Sequence, residues 1–374
     1  MKILTTNLRS YKKIFDATKR TGIQLYDSIF LDFSNGYLVF MNETSVVKIQ
    51  MQLEGEKEGQ ENFFVDGQKF FFLLNSYDVL KVEGRKFSSP EGNSFVLPTF
   101  NEDIELPDFE EQSTWKKAEL DFTKEFILNL KTAMDYIEPG ETEFSSLFFE
   151  NDKMLTLSKT KFFQAPFGSA NNSFNLPFNF VKILNNLNFN GKGILKYKSK
   201  NDAFIIYLKV DNMEILFSTN SANSLPVDPT SDEFREGFFH ENWVKIPVSS
   251  TLESIRFLSS LLNDSPSSHV NVTFLEENGK FYIELSIHNE SNILYKSEVE
   301  SFSDFSYFED RGFWISLDNI KKALVNFEIR DVPSVVLRYE ENAPAVYFAD
   351  AEELDSDEVE DFFIVQTLLE DPTE

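Results

Sequence analysis

The sequence predicts an α+β protein of three repeated domains, each with two helices packed on antiparallel sheets. Three observations predict it. Tight-turn dipeptides separate apolar-rich strands, a segment with helical apolar spacing precedes each of them, and the pair recurs at nearly constant offsets along 374 residues. That length exceeds one ordinary core and suits two or three domains.

In the first third, Leu8, Tyr11, Ile14, Phe15 and Thr18 share one helix face, and two strands follow from Ser28 to Phe40 around Asn35-Gly36. A second helix face, Phe70, Leu73 and Leu74, precedes a turn at Glu91-Gly92. The second third repeats the order. Ile127, Leu130, Ala133 and Met134 form its first face, a hairpin spans Ser145 to Leu157 around Asn151-Asp152, and Phe180, Ile183 and Leu184 precede Asn201-Asp202. In the last third Leu252, Ile255, Leu258 and Leu262 lead to a hairpin from Val270 to Ile287 around Asn278-Gly279. Ile320, Ala323 and Leu324 then lead to Asn342 and Pro344. Six similar half-units result, and the breaks between their pairs fall in an acidic stretch from Glu102 to Gln112 and a Pro-containing one from Leu225 to Gly237. The expected domains are 1–112, 113–237 and 238–374.

Composition narrows the function. With 41% hydrophobic and 26% charged residues the chain folds, and its 41 Phe predict aromatic, strand-rich cores. No Cys is present, which removes disulfides, thiolate metal sites and Cys nucleophiles. No stretch is apolar enough to cross a bilayer and no signal peptide is recognisable at the start, so the expectation is a cytoplasmic protein without membrane contact. His240, His269 and His288 are the only histidines, and none has a partner at metal-ligand spacing. Phosphate-loop, zinc-protease and nucleophile-elbow motifs are missing, and the acidic run from Asp350 to Asp361 lacks the order of a calcium loop. No enzyme, cofactor or metal is expected.

The repeat pattern resembles the three-domain bacterial sliding clamps, the β subunit of the replicative DNA polymerase. It is best matched over Phe126 to Phe167, Phe174 to Leu208 and Trp314 to Leu369. The tail from Asp361 to Leu369 is similar to the final clamp strand. Gln366 and Thr367 replace part of its usual ending, which marks a divergent member, with a phage-encoded one among the expected cases. The resemblance implies a non-enzymatic processivity factor for DNA replication. Two chains would close head to tail into a homodimer ring on double-stranded DNA, read independently of sequence, with a DNA polymerase and a clamp loader as partners.

Such a role requires positive charge on the helices, although the net charge is −27. The helical segments 4–20, 66–77, 123–137, 177–189, 251–263 and 317–330 carry 13 basic and 7 acidic residues; the remainder holds 22 basic and 55 acidic. The expected DNA-facing residues are Arg9, Lys12, Lys13, Lys19, Arg20, Lys69, Lys124, Lys131, Lys182, Arg256, Lys321 and Lys322. The resemblance also implies a partner-peptide pocket, with Phe162 and Phe163 on one wall and Phe363, Val365 and Thr367 on the other. Two other readings share the composition: an acidic interaction or structural protein without DNA binding, and an open, monomeric processivity factor of the same fold.

Overall fold

Turns at residues that tolerate positive φ set the strand pairs of the computed structural model. It describes residues 1–19, 23–56, 59–102, 114–138, 145–150, 152–158, 160–168, 173–187, 189–200, 203–219, 241–261, 269–287, 293–309, 311–341, 344–353 and 362–369. Gly36, Asp152, Asn278 and Gly279 have φ of 82°, 61°, 55° and 75°. They join Ser28–Asp32 to Tyr37–Met41, Ser146–Glu150 to Lys153–Leu157, and His269–Glu277 to Lys280–Ile287.

Six helices follow the expected apolar faces: α1 (Lys12–Thr18, entered by a 3-10 turn at Arg9–Tyr11), α2 (Gly67–Ser76), α3 (Lys124–Tyr136), α4 (Phe178–Asn185), α5 (Val248–Leu261) and α6 (Leu317–Glu328). Phe70, Leu73 and Leu74, then Phe180, Ile183 and Leu184, then Ile320, Ala323 and Leu324 are all buried, as the offsets require. Asp66 caps α2 by accepting from the Lys69 backbone N–H at 2.9 Å.

One turn assignment is corrected. Glu91-Gly92 joins the second and third strands of its set, Lys86–Ser88 and Ser94–Val96. The turn equivalent to the 200–203 connection is at Gly84, φ 58°, between Val79–Glu83 and Lys86–Ser88. The strands flanking it, of 5 and 3 residues, are shorter than the 9 and 8 of the second repeat, and the turn falls seven residues earlier than constant spacing predicted. The linkers at 103–112 and 225–237, Asn151, Asn201-Asp202, Asn342, Leu262, His240, His288 and most of the acidic run at 354–361 lie outside the described residues.

The chain divides into two compact units. Unit 1 comprises Met1–Lys131 and Ala170–Asn223; unit 2 comprises Thr132–Ser169 and Ser224–Glu374. In unit 1 a nine-stranded sheet runs Thr99–Phe100, Phe63–Asp66, Ser28–Asp32, Tyr37–Met41, Ser45–Gln50, Met213–Thr219, Ala203–Val210, Lys192–Lys200, Lys116–Asp121. Strand Ser45–Gln50 of the first repeat thus pairs with Met213–Thr219 of the second, Val46 opposite Leu216. Unit 2 repeats the arrangement one step on. Its sheet runs Ser146–Glu150, Lys153–Leu157, Lys161–Pro166, Phe363–Thr367, Ala345–Asp350, Ser334–Arg338, Trp243–Pro247, Ser301–Phe302, and Phe162 lies opposite Val365.

Each unit also holds a smaller antiparallel sheet. In unit 1 five strands run Gln52–Glu54, Lys2–Leu4, Val79–Glu83, Lys86–Ser88, Ser94–Val96. In unit 2 four run Ile293–Glu298, Lys280–Ile287, His269–Glu277, Gly312–Ser316. Helices cover one face of the large sheets. In unit 1 Phe15 of α1 meets Phe40 edge-on at 5.5 Å between ring centres, and Phe180 of α4 meets Phe217 at 5.4 Å. In unit 2 Tyr136 of α3 lies 6.0 Å from Phe163. No described helix is long and apolar enough to cross a membrane.

Candidate nucleic-acid and peptide interfaces

Much of the helical positive charge is engaged inside the fold. Arg9 donates from Nε to the Leu74 carbonyl at 2.6 Å and pairs with Asp78, also at 2.6 Å, so it ties the first 3-10 turn to the end of α2. Lys12 and Lys19 both pair with Asp16, at 2.5 and 3.2 Å. Burial opposes ionisation of Asp16, but hydrogen bonds from Lys12, Gln68 and Lys19 outweigh it and hold the carboxyl below its ordinary pKa. Lys69 pairs with Asp66 at 3.3 Å and Lys322 with Asp318 at 2.7 Å. Arg256 forms a two-pronged pair with Glu328, at 2.5 and 3.1 Å. Lys13, Lys124, Lys131 and Lys182 are exposed on their helices without an acidic partner among the described residues; Lys321 is half-buried, and Arg20 lies outside them.

Asp16 therefore mutes the sharpest basic face. On the expectation that this face meets DNA, its replacement by Asn should free Lys12 and Lys19 and raise duplex affinity about threefold at low salt, ~0.6 kcal/mol. A titration of labelled duplex checks this.

Strand alternation separates the two predicted wall phenylalanines. Phe163 points to the helix side, between Tyr136 and Phe362, and is core; Phe162 points to the opposite face. There it joins Val365, Phe148, Leu155, Tyr347, Ala345 and Ala349 in one buried apolar cluster, with Leu157 packed against it. Thr367 is half-buried on a neighbouring position of the same strand; the Phe363 side chain lies outside the described residues. Tyr347 and Leu157 were missed in the sequence because only strand register brings them beside Val365 and Phe162.

Beneath the opposite face a polar chain links α3 to α6. Thr132 donates to Asn326 at 2.7 Å, Arg330 donates to Thr132 at 2.9 Å, and Gln366 donates to the Tyr136 hydroxyl at 2.9 Å. The Arg330 guanidinium also stacks 4.1 Å from the Phe362 ring centre. Burial drives the Tyr136 phenol pKa upward and keeps it protonated.

Three large apolar side chains stand out on the surface. Val96 is 78% exposed, Phe72 on α2 70% and Phe257 on α5 50%. Val96 lies on the edge strand Ser94–Val96 of the five-stranded sheet, and α5 packs against Ile293–Glu298, the edge of the four-stranded one, where Phe257 meets Tyr295 at 5.7 Å.

No family model matches the sequence, and no curated protein matches it. Solved structures do match over nearly the whole chain. The DNA polymerase sliding clamp of Bacillus subtilis is 11% identical, covers 99% of this chain and 98% of its own, and superposes with a TM-score of 0.71. The DNA polymerase III β subunit of Thermotoga maritima is 13% identical, with 98% of each chain covered and a TM-score of 0.71. The Helicobacter pylori β clamp bound to a DNA ligase peptide is 13% identical, covers 99% of this chain and 100% of its own, and scores 0.64. The chain has the fold of the bacterial DNA polymerase III β sliding clamps, in a sequence only 11–13% identical to these three.

Proposed function

We propose that this chain is a DNA sliding clamp, a processivity factor that encircles duplex DNA and tethers a replicative polymerase without catalysing a reaction. The observation that carries the reading is the way the half-repeats join. The first half of repeat 1 shares a sheet with the second half of repeat 2, and the first half of repeat 2 with the second half of repeat 3. The first half of repeat 3, ending in edge strand Ile293–Glu298, and the second half of repeat 1, ending in edge strand Ser94–Val96, have no such partner among the described residues. A second copy supplies each with the other, which is a head-to-tail contact that closes.

The helix residues fit that joint. By the repeat offsets, Phe257 takes the place of Thr132, and Phe72 the place of Lys322. Thr132 is buried where α3 meets α6, so its counterpart Phe257 is an exposed residue in a position built for a contact. Light scattering on the 43.3 kDa chain tests the joint: a mass near two chains supports it, and a mass near one supports an open crescent.

DNA contact falls to lysines rather than to base readers, which suits movement along the duplex. Replacing Lys13, Lys124, Lys131 and Lys182 with Gln should flatten the salt dependence of duplex binding by roughly three to four units of slope. An unchanged slope would remove these helices from the DNA interface. The expected place of action is the cytoplasm, of the host if the chain is phage-encoded. Polymerase and loader segments would reach the face of Phe162, Val365 and Thr367, with Phe363 on the same strand. The peptide-bound Helicobacter pylori clamp supports that choice of partner chemistry.

A further inference from the structure

Unit 1 carries a counterpart of the Phe162–Val365 face; the unit 2 row runs on from Tyr347 into a buried Arg338 and then Trp243, whereas the unit 1 row ends on two lysines. On unit 2, register sets Leu157, Phe162, Val365 and Tyr347 side by side across four strands. On unit 1 the same register positions hold Met41, Val46, Leu216 and Tyr207. Both rows lie on the sheet face away from the helices, since Phe40 and Phe217 take the helix side. The unit 1 row stays accessible: Met41, Val46 and Leu216 are half-buried around a buried Tyr207.

Beyond Tyr207 the row continues into Lys196 and then Lys117. Lys209 and Lys48 flank it in the next row, in register with Glu214 between them. Lys117 pairs with Glu119 at 3.3 Å at the surface, a pair that an incoming carboxylate can replace, while Lys209 pairs with the partly buried Glu214 at 3.5 Å and Lys48 lies over the Tyr37 ring at 4.3 Å. In a chain of net charge −27, an apolar row that ends on two lysines selects its ligand by charge.

We propose that this face of unit 1 is a second docking site, for an extended acidic peptide of a partner protein that seats an apolar anchor on Val46 and Leu216. It rests on reading the unit 2 face as a partner-peptide site. With strands about 4.8 Å apart, the distance from Val46 to Lys117 is roughly 19 Å, which about six extended residues span. The anchor covers Leu216, and its acidic end reaches Lys196 and Lys117.

Fluorescence anisotropy with the full chain tests this, using a dye-labelled peptide with a Leu-Phe anchor followed by a run of Glu, and a version with Gln in place of Glu. Joint Lys117→Glu and Lys196→Glu reversal should weaken the Glu peptide about tenfold and leave the Gln peptide unchanged. Leu216→Gln should weaken both, with circular dichroism reporting that the fold is kept. If only Leu157→Gln on unit 2 weakens binding, the second site is overturned and the unit 2 face stands. If none of the three changes matters, both are overturned. If lysine reversal weakens a short DNA duplex as much as the peptide and Leu216→Gln affects neither, the face is a phosphate site and the proposal fails.

Discussion

Phe257→Asp should convert the proposed two-chain assembly into single chains while leaving the fold intact. The side chain is half exposed on α5 and contributes little to the isolated chain beyond its contact with Tyr295. In the proposed joint it is buried beside the α2 surface of a second copy, where a carboxylate would be desolvated without a partner. A central aromatic lost from such a contact, with a charge left in its place, weakens association by about 3–4 kcal/mol, or roughly 10² to 10³ in the dissociation constant. Light scattering against concentration measures the shift. Phe72→Asp should act alike, since Phe72 stands where α6 carries Lys322. A Phe72→Lys and Phe257→Asp double variant should regain part of the loss, because it places opposite charges across the joint. An unchanged mass in both single variants would remove these two helices from the contact.

The second large effect lies in the core of unit 1, where α1 and α2 meet at a glycine. The Phe15 ring rests against Gly67, so that a Cβ there would stand 2.2 Å from Phe15 Cζ, and the ring also meets Phe40 and Phe71 at 5.5 and 5.4 Å. Phe15→Ala should cost about 3–5 kcal/mol through lost burial and the cavity left. Gly67→Ala should cost about 1–3 kcal/mol by overpacking, despite the better helix propensity of Ala. Combined, the new methyl occupies space the ring vacated, so the double variant should be at least ~1 kcal/mol more stable than the sum of the two. Urea unfolding midpoints at constant m-value measure all three, and strict additivity would mean that Phe15 moves aside at no cost.

The helices were legible because offsets of 0, 3 and 4 recur and bury the same face each time. The hairpins were legible where Asn-Gly stood at the turn. Register was not. Whether Phe162 or Phe163 looks away from the helices depends on a one-residue choice of pairing with the strand Phe363–Thr367, and apolar runs on both faces give no alternation to decide it. The charge surplus of the helices was real as composition but overstated as free charge. Arg9 finds Asp78 on another element, and Arg256 finds Glu328 on another helix. The spacing from Leu252 and Ile255 did place Leu258 on the buried face of α5 and Phe257 off it; that an aromatic as large as Phe257 is left half exposed there was not read from the sequence.

The joining of half-repeats also constrains how the chain is made. Strand Ser45–Gln50 must wait for Met213–Thr219, and the Gln50 carbonyl accepts a hydrogen bond from Asn212, 162 residues later. At ribosomal rates of about 5–20 residues per second the early half stands with an unpaired edge for roughly 10–30 s. Unit 2 closes only when Phe363–Thr367, near the end of the sequence, is synthesised. Unit 1 can close only once Met213–Thr219 has emerged, and until each late strand arrives nascent chains expose unpaired apolar edges to one another. Crowded polysomes would favour strand exchange between neighbouring chains, and slower synthesis would lengthen that exposure rather than relieve it.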